Sequence, residues 1–406
     1  YRFAARSLRA GKIPLWNPHL YSGAPFVADN QSGVFYPINL LVFAVFGEPS
    51  YGVMEGLVVF HMWLAGIGTF ILLRGLGLRR PAALFGGVTF ALSDLFVVHI
   101  GNLNLNATMA WLPLFLWLVH GALSRRRVPW AVGAGVILAV AALAGHGQML
   151  LYIGGVLVGY LLYRWGADVM RGRSRPLAVG GLALLILALG VGGAALALLP
   201  AWEMAQHTGR GYLSYQQATE YSLPPQALAG LLVPGFYGRG SRDFWGEWDR
   251  VEVGYAGAAT VALAVAGVWA YASGEHTTDQ GSFPGWFFVL MVVGGFVLAL
   301  GRYTPLYSLL YRYVPGFDQI RVPARFIVLA DLGLAALAAY AVDAIWRGGR
   351  ARRWPERVGL GLVALGVVVL LIGLPAARVV PLERAAKATR GVIIAALLLA
   401  MTGILV

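Results

Sequence analysis

Residues 176–199 read PLAVGGLALLILALGVGGAALALL, with no charged side chain, and follow a connection that carries Arg164, Arg171, Arg173 and Arg175. An α-helix rises about 1.5 Å per residue, so a run of this length spans a hydrocarbon core of about 30 Å. Working outward, comparable runs fall at 51–73, 81–99, 107–123, 129–144 and 148–163 on one side. On the other they fall at 254–273, 285–300, 324–346, 358–375 and 391–406. The run after Pro129 reads either as a broken helix pair or as one long helix interrupted at Gly145-His146-Gly147. Composition agrees: 59% of the residues are apolar and 12% charged, and the mean hydropathy is +0.70. One soluble core cannot absorb that many apolar runs, so lipid is the solvent for most of the chain. The sequence therefore predicts an all-α polytopic membrane protein with about eleven transmembrane helices.

The formal charge of +13 does not point to nucleic acid, because the arginines sit in short clusters between apolar runs and not along one amphipathic face. They mark topology instead. Arg74, Arg79 and Arg80, then Arg125 to Arg127, then Arg164 to Arg175, then Arg347 to Arg357 occupy alternate connections, which the positive-inside rule makes cytoplasmic. Residues 1–50, 200–253 and 301–323 then fall on the outer face as loops of a single transmembrane domain over 1–406. The connection 376–390 also falls outside, against its content of Arg378, Arg384, Lys387 and Arg390. With no cysteine in the chain, disulfides and thiolate chemistry are excluded. An outer first segment that begins at Tyr1 predicts a transmembrane helix ahead of it, and the apolar run at Val406 predicts continuation beyond.

The first outer loop is not a plain connector. Residues 11–41, GKIPLWNPHLYSGAPFVADNQSGVFYPINLL, use Pro14, Pro18, Pro25, Pro37, Gly11, Gly23 and Gly33 to fix a non-helical path. Trp16, Asn17, His19, Asp29, Gln31 and Tyr36 are set along it, a composition typical of binding loops.

This stretch resembles the YfhO-type bacterial membrane proteins, assigned to the glycosyltransferase superfamily with the GT-C fold. Further matching segments are Gly145-His146-Gly147-Gln148, Leu223-Pro224-Pro225 through Pro234-Gly235-Phe236-Tyr237-Gly238, Val253-Gly254-Tyr255-Ala256-Gly257, and residues 317–326, FDQIRVPARF. The resemblance runs along nearly the whole chain; residues 11–41 are its most specific part. It implies a GT-C-like helical bundle whose extracytoplasmic loops bear short helices, in the bacterial cytoplasmic membrane with the active site facing outward. It also implies inverting transfer of a sugar from a polyprenyl-phosphate donor to an envelope polymer or glycolipid acceptor. In such enzymes a carboxylate of the first outer loop deprotonates the acceptor. Asp29 is the candidate here, while a capping role through its own turn is the open alternative. A base preceding Tyr1 is the third reading.

Arg321 and Arg325 flank Pro323 at the outer start of the run 324–346. A helix start with free N–H groups and two guanidinium groups suits a donor phosphate; pairing with Asp318 is the alternative. In the segment 200–253, acidic and aromatic residues alternate from Arg242 to Glu252. Glu252 and Tyr255 border the next helix and are the candidates for sugar or acceptor contact, with interfacial aromatic placement as the alternative.

Several polar residues lie in or beside apolar runs. Asp94, His99 and His146, with Asn102, Asn104, Asn106 and Gln148, either line the mouth of a cavity or cap helix ends. Glu55 and Asp331 are expected to pair with nearby arginines. No two of His19, His61, His99 and His146 share a ligand spacing, so no metal is assigned, although a divalent ion is left open. No P-loop, HExxH or GxSxG occurs. Energy for transfer must then come from the substrate, which an activated lipid-linked sugar supplies. Two other classes stay open: a transporter or flippase of lipid-linked substrates, and a non-catalytic assembly subunit.

Overall fold

The computed structural model describes residues 1–172, 176–208, 213–233, 236–237, 254–274, 283–347, 354–379 and 382–405. These residues are predominantly helical; the strand pairing among them is Trp16–Asn17 antiparallel to Ala24–Pro25. Among the described residues, eight helices are long and apolar enough to cross a membrane. They are Tyr51–Gly75, Arg80–Val98, Leu103–Arg125, Gly147–Met170, Pro176–Gly193, Pro323–Arg347, Val358–Arg378 and Arg384–Ile404.

Three of the eleven expected spans are shorter helices, Val128–Leu143, Ala258–Ala272 and Gly285–Ala299. At about 1.5 Å per residue each falls short of a full hydrocarbon crossing. Glycines set their ends. Gly145 (φ 92°) follows the first, Gly257 (φ 101°) precedes the second, and Gly301 (φ 49°) follows the third. A hydropathy window reads straight through such positions; the backbone does not. The run 176–199 is itself divided at Ala194, after the Gly192-Gly193 pair, into Pro176–Gly193 and Ala195–Gln206. The expected outer connection 376–390 is mostly helix, since Trp354–Arg378 and Leu382–Leu405 flank it closely and carry Arg378, Arg384, Lys387 and Arg390.

The chain divides into two compact units, where the sequence suggests one domain. The first comprises Tyr1–Leu72 and His99–Leu213. Its helix Val128–Leu143 packs against Pro176–Gly193 and Leu112–Arg125. Backbone approaches closely there because Gly135 faces Leu189 and Gly193 faces Ala139, where an added Cβ would sit 2.6 and 2.8 Å from the neighbouring side chain. Small residues at crossings are the usual device for joining helices in lipid, where apolar burial alone gives no preference. At the amino end, Ala4 and Ala5 of the helix Arg2–Arg9 pack on Val34 and Phe43. Arg6 reaches across to hold both carboxylate oxygens of Glu48 at 2.9 Å.

The second unit comprises Leu73–Val98 and Ser214–Val406. Its centre is the helix Ile327–Arg347, which packs against Ala258–Ala272, Gly285–Ala299 and Arg80–Ala91. The apolar stretch of this span is 89% buried, against 11% for Pro176–Gly193 in the other unit, which marks it as an interior helix and not a lipid-facing one. Its sequence explains the crowding. Gly333 lies against Phe288 and Val292, Gly295 of a neighbour against Ala330, and Gly86 against Ala335. The hairpin of Trp354–Arg378 and Leu382–Leu405 packs on Ala258–Ala272.

Candidate functional site

In the first unit the proline-rich loop is a built structure. Trp16–Asn17 and Ala24–Pro25 close a small hairpin whose turn needs positive φ at Tyr21, Ser22 and Gly23. The Trp16 indole covers Gly23 so closely that a Cβ there would sit 2.6 Å from the ring. Asn17, buried, accepts the His19 N–H through Oδ1 at 2.9 Å. Phe3 meets His19 and Phe26 edge-on, at 5.9 and 5.1 Å between ring centroids.

One side chain clamps the next turn. Asn104 donates from Nδ2 to the carbonyls of Gln31 and Ala144, both at 2.8 Å. Beside it, Gly145 lies against the Asn30 carbonyl with no room for a Cβ. Residues 29–33 and 144–148, remote in sequence, therefore meet. The helix Ala195–Gln206 also packs on the Asn30–Ser32 turn. Gly145→Ala is expected to cost about 1–3 kcal/mol, since it combines a left-handed φ with a clash on Asn30. Limited proteolysis of residues 11–36 checks this: cleavage no faster than in the wild type would contradict the clamp.

Asp29 is exposed and caps the Asn30–Ser32 turn, accepting the Gln31 N–H through Oδ1 at 3.1 Å. The capping alternative is thus the geometry seen, and the second carboxylate oxygen is left available for other chemistry. Trp16, His19 and Gln31 are exposed beside it in sequence. Tyr36 is not exposed. Its hydroxyl is buried between His61 Nε2 at 2.8 Å and Trp111 Nε1 at 2.9 Å, so among the candidate substrate contacts it is a structural member of the loop base. His146 is buried and caps the helix Gly147–Met170 by accepting the Met149 N–H. Gln148 donates to the Tyr152 hydroxyl at 2.6 Å. Asn102 likewise caps Leu103–Met109.

In the second unit, Arg321 is exposed and its guanidinium grips Glu220 through Nε, at 3.0 Å, and Nη2. It also lies over the Tyr221 ring, 5.8 Å from the centroid. The carboxylate it grips is Glu220, where the sequence offered Asp318. Tyr221 and Val322 both hold φ near 60°, at 61° and 60°. A β-branched residue in the left-handed region is strained, and such strain concentrates where a side chain must be aimed. Surrounding bonds enforce it. The Ala324 N–H donates to the Tyr221 carbonyl at 3.3 Å, and Ser222 accepts from the Arg302 N–H at 3.0 Å while donating to Thr219. Arg325 follows in the turn Pro323–Phe326, before the α-helix begins at Ile327 and not at the proline. Glu220 and Tyr221 carry no motif, and no pattern in the sequence singles them out.

Tyr255 is half-buried after Gly254; Glu252 lies outside the described residues. Among the described residues the arginine partners expected for Glu55 and Asp331 are not seen. Glu55 is exposed to solvent at its helix start, and no arginine bonds Asp331 among the described residues. Among those residues no three His, Asp or Glu side chains gather as a metal site. No protein-family model matches the chain, and no curated protein matches it.

Proposed function

We propose that this chain is the membrane portion of a glycosyltransferase that moves a sugar from a polyprenyl-phosphate donor to an envelope acceptor outside the cytoplasmic membrane. The observation that carries the reading is the Asn104 clamp, which turns the proline-rich segment into a fixed platform bearing Trp16, His19, Asp29 and Gln31 at its surface. A mobile connector would need no such anchor. Aromatic and polar groups side by side suit the apolar faces and hydroxyl edges of a sugar. In an inverting displacement the acceptor oxygen bonds to the anomeric carbon as the bond from that carbon to the phosphate oxygen breaks. The hydroxyl proton goes to a carboxylate, the role given to Asp29, and the electron pair leaves with the lipid phosphate. In the second unit, taken by itself, Arg321 and Arg325 are proposed to bind a polyprenyl phosphate.

Arg321 must exchange Glu220 for a donor phosphate. Arg321→Ala is expected to weaken binding of a polyprenyl phosphate on the order of tenfold. Glu220→Gln, which removes the competing carboxylate, is expected to tighten it. Equilibrium binding of a fluorescent polyprenyl phosphate to the purified protein tests both, and equal affinity in all three proteins would sink the phosphate role. Transfer of a radiolabelled sugar from the same carrier to envelope acceptors tests the reaction itself, with Asp29→Asn as the inactive control. A second reading, carriage of a lipid-linked substrate across the bilayer, is favoured by Asp331, an ionisable group inside the most buried span. Movement of a labelled lipid between leaflets without sugar transfer would select it.

A further inference from the structure

Within the second unit, the helix Pro305–Tyr313 reads PLYSLLYRY and has three distinct sides. With about 3.6 residues per turn, Tyr307 and Tyr311 share one side, Leu306, Leu309 and Tyr313 a second, and Ser308 and Arg312 a third. The first side is packed. Tyr307 is buried, with its ring 5.0 Å from that of Phe317 and its hydroxyl donating toward the carbonyls of Ala218 and Ile320 at 3.4 and 3.5 Å. Tyr311 meets Tyr215 edge-on at 5.3 Å. The second side is exposed although its three residues are large and apolar, and the third is exposed and polar. Water alone would not favour large apolar side chains along one free flank and polar ones along the other.

The place of the helix in the chain says what covers the apolar flank. It follows the apolar helix Gly285–Ala299 after the short turn Gly301–Tyr303. That preceding helix has 15 residues. It rises about 22 Å, short of a hydrocarbon core of about 30 Å, so the chain leaves it at the level of the bilayer and not clear of it. The same helix bears an exposed apolar stripe of Trp286, Leu290 and Val293, the kind of face that lipid covers in a membrane chain. Charge agrees. Residues 302–314 contain no carboxylate, and Arg302 and Arg312 are exposed, as suits contact with lipid phosphates. Tyr303 and Tyr313 are also exposed, and tyrosine gathers at the boundary between membrane and water.

We propose that Pro305–Tyr313 is an interfacial helix, lying along the membrane surface with Leu306, Leu309 and Tyr313 among the upper acyl chains of phospholipid and Ser308 and Arg312 in water. Tyr307 links this helix to the backbone on both sides of the ion pair, since Ala218 stands two residues before Glu220 and Ile320 stands next to Arg321. The lipid contact thereby positions the turn that bears Arg321. It does not depend on Arg321 binding a donor phosphate.

The chain has no cysteine, so a single introduced cysteine carries a spin label at one chosen site. Leu309→Cys and Ser308→Cys, both at exposed positions of the full chain, are labelled and reconstituted in phosphatidylcholine nanodiscs. Each label is then relaxed by oxygen, which partitions into lipid, or by a water-soluble nickel chelate. The label at position 309 should be relaxed severalfold more by oxygen than by nickel, and the label at position 308 severalfold more by nickel. Equal ratios at the two positions, or a label at 309 that favours nickel, overturn the proposal. A label at 309 shielded from both reagents overturns it too, because a protein partner or a second copy of the chain then covers the flank. If either variant fails to fold, Tyr313→Cys and Arg312→Cys supply the same pair of readings.

Discussion

Asp343→Ala should destabilise the protein by about 3–5 kcal/mol, the cost of stripping one partner from a buried ion pair. Asp343 is fully buried near the end of the central helix, and each oxygen has its own task. Oδ2 accepts from Arg347 Nε at 2.7 Å, while Oδ1 accepts the Arg79 N–H at 2.8 Å. Arg79 precedes the helix Arg80–Ala91 and has no side-chain cap of its own, so Asp343 supplies the cap from another segment. The same corner is closed by Arg347 to the Gly77 carbonyl at 3.1 Å and Arg79 to the Trp346 carbonyl at 3.2 Å. Alanine would leave the Arg347 guanidinium, 14% exposed, without its carboxylate and the Arg79 N–H without an acceptor. Asp343→Asn keeps an acceptor for Arg79 and should lose less. Thermal inactivation half-lives in lipid nanodiscs measure the effect without requiring reversible unfolding. A half-life for Asp343→Ala equal to that of the wild type would mean that the corner is not holding the two helices.

The spans were legible because lipid imposes two requirements that composition records directly, length and the absence of charge. That is why 324–346 and 148–163 correspond to observed helices. Helix ends were less legible. Gly145 and Gly301 follow helix ends and Gly257 precedes a helix start, all with positive φ, and hydropathy does not register backbone dihedrals. Arginine counting placed Arg378, Arg384 and Lys387 in a loop, although they lie on helices that extend past their apolar windows. The site was legible as a set of motifs and not as a set of contacts. His146 and Asn102 had helix capping as an open alternative, and capping is their geometry. One partner of Arg321 lies 101 positions away and the cap of Arg79 264 positions away, and nothing local to either residue points there. Asp331 was expected to find an arginine because buried charge is costly. Among the described residues no arginine bonds it.

The second large effect is expected at the base of the loop. Tyr36→Phe should cost about 2–4 kcal/mol, because it deletes one atom and leaves two polar groups without partners. His61 Nδ1 lies 2.7 Å from the Leu57 carbonyl, which can only accept, so that nitrogen carries the proton. Nε2 must then accept, and the Tyr36 hydroxyl donates to it; the hydroxyl oxygen is left to accept from Trp111 Nε1. The three side chains form a chain of fixed direction, closed inside a cluster of Tyr36, Ala107 and Ala144. His61 is wholly buried, so its lost partner cannot be replaced by water at no cost, whereas Trp111 is half-buried and recovers part of its loss. Phenylalanine keeps the ring packing, so any loss isolates the hydrogen bonds. A double-mutant cycle with His61→Leu sharpens the test: once the imidazole is gone, Tyr36→Phe should cost markedly less than in the wild-type background. Equal costs in the two backgrounds would show that Tyr36 and His61 do not act as a pair. Because Tyr36 leads directly into the helix Pro37–Phe46, the same variant should loosen the platform that carries Asp29. Faster proteolysis of residues 11–36, at a temperature where the rest of the chain stays protected, is the corresponding local readout.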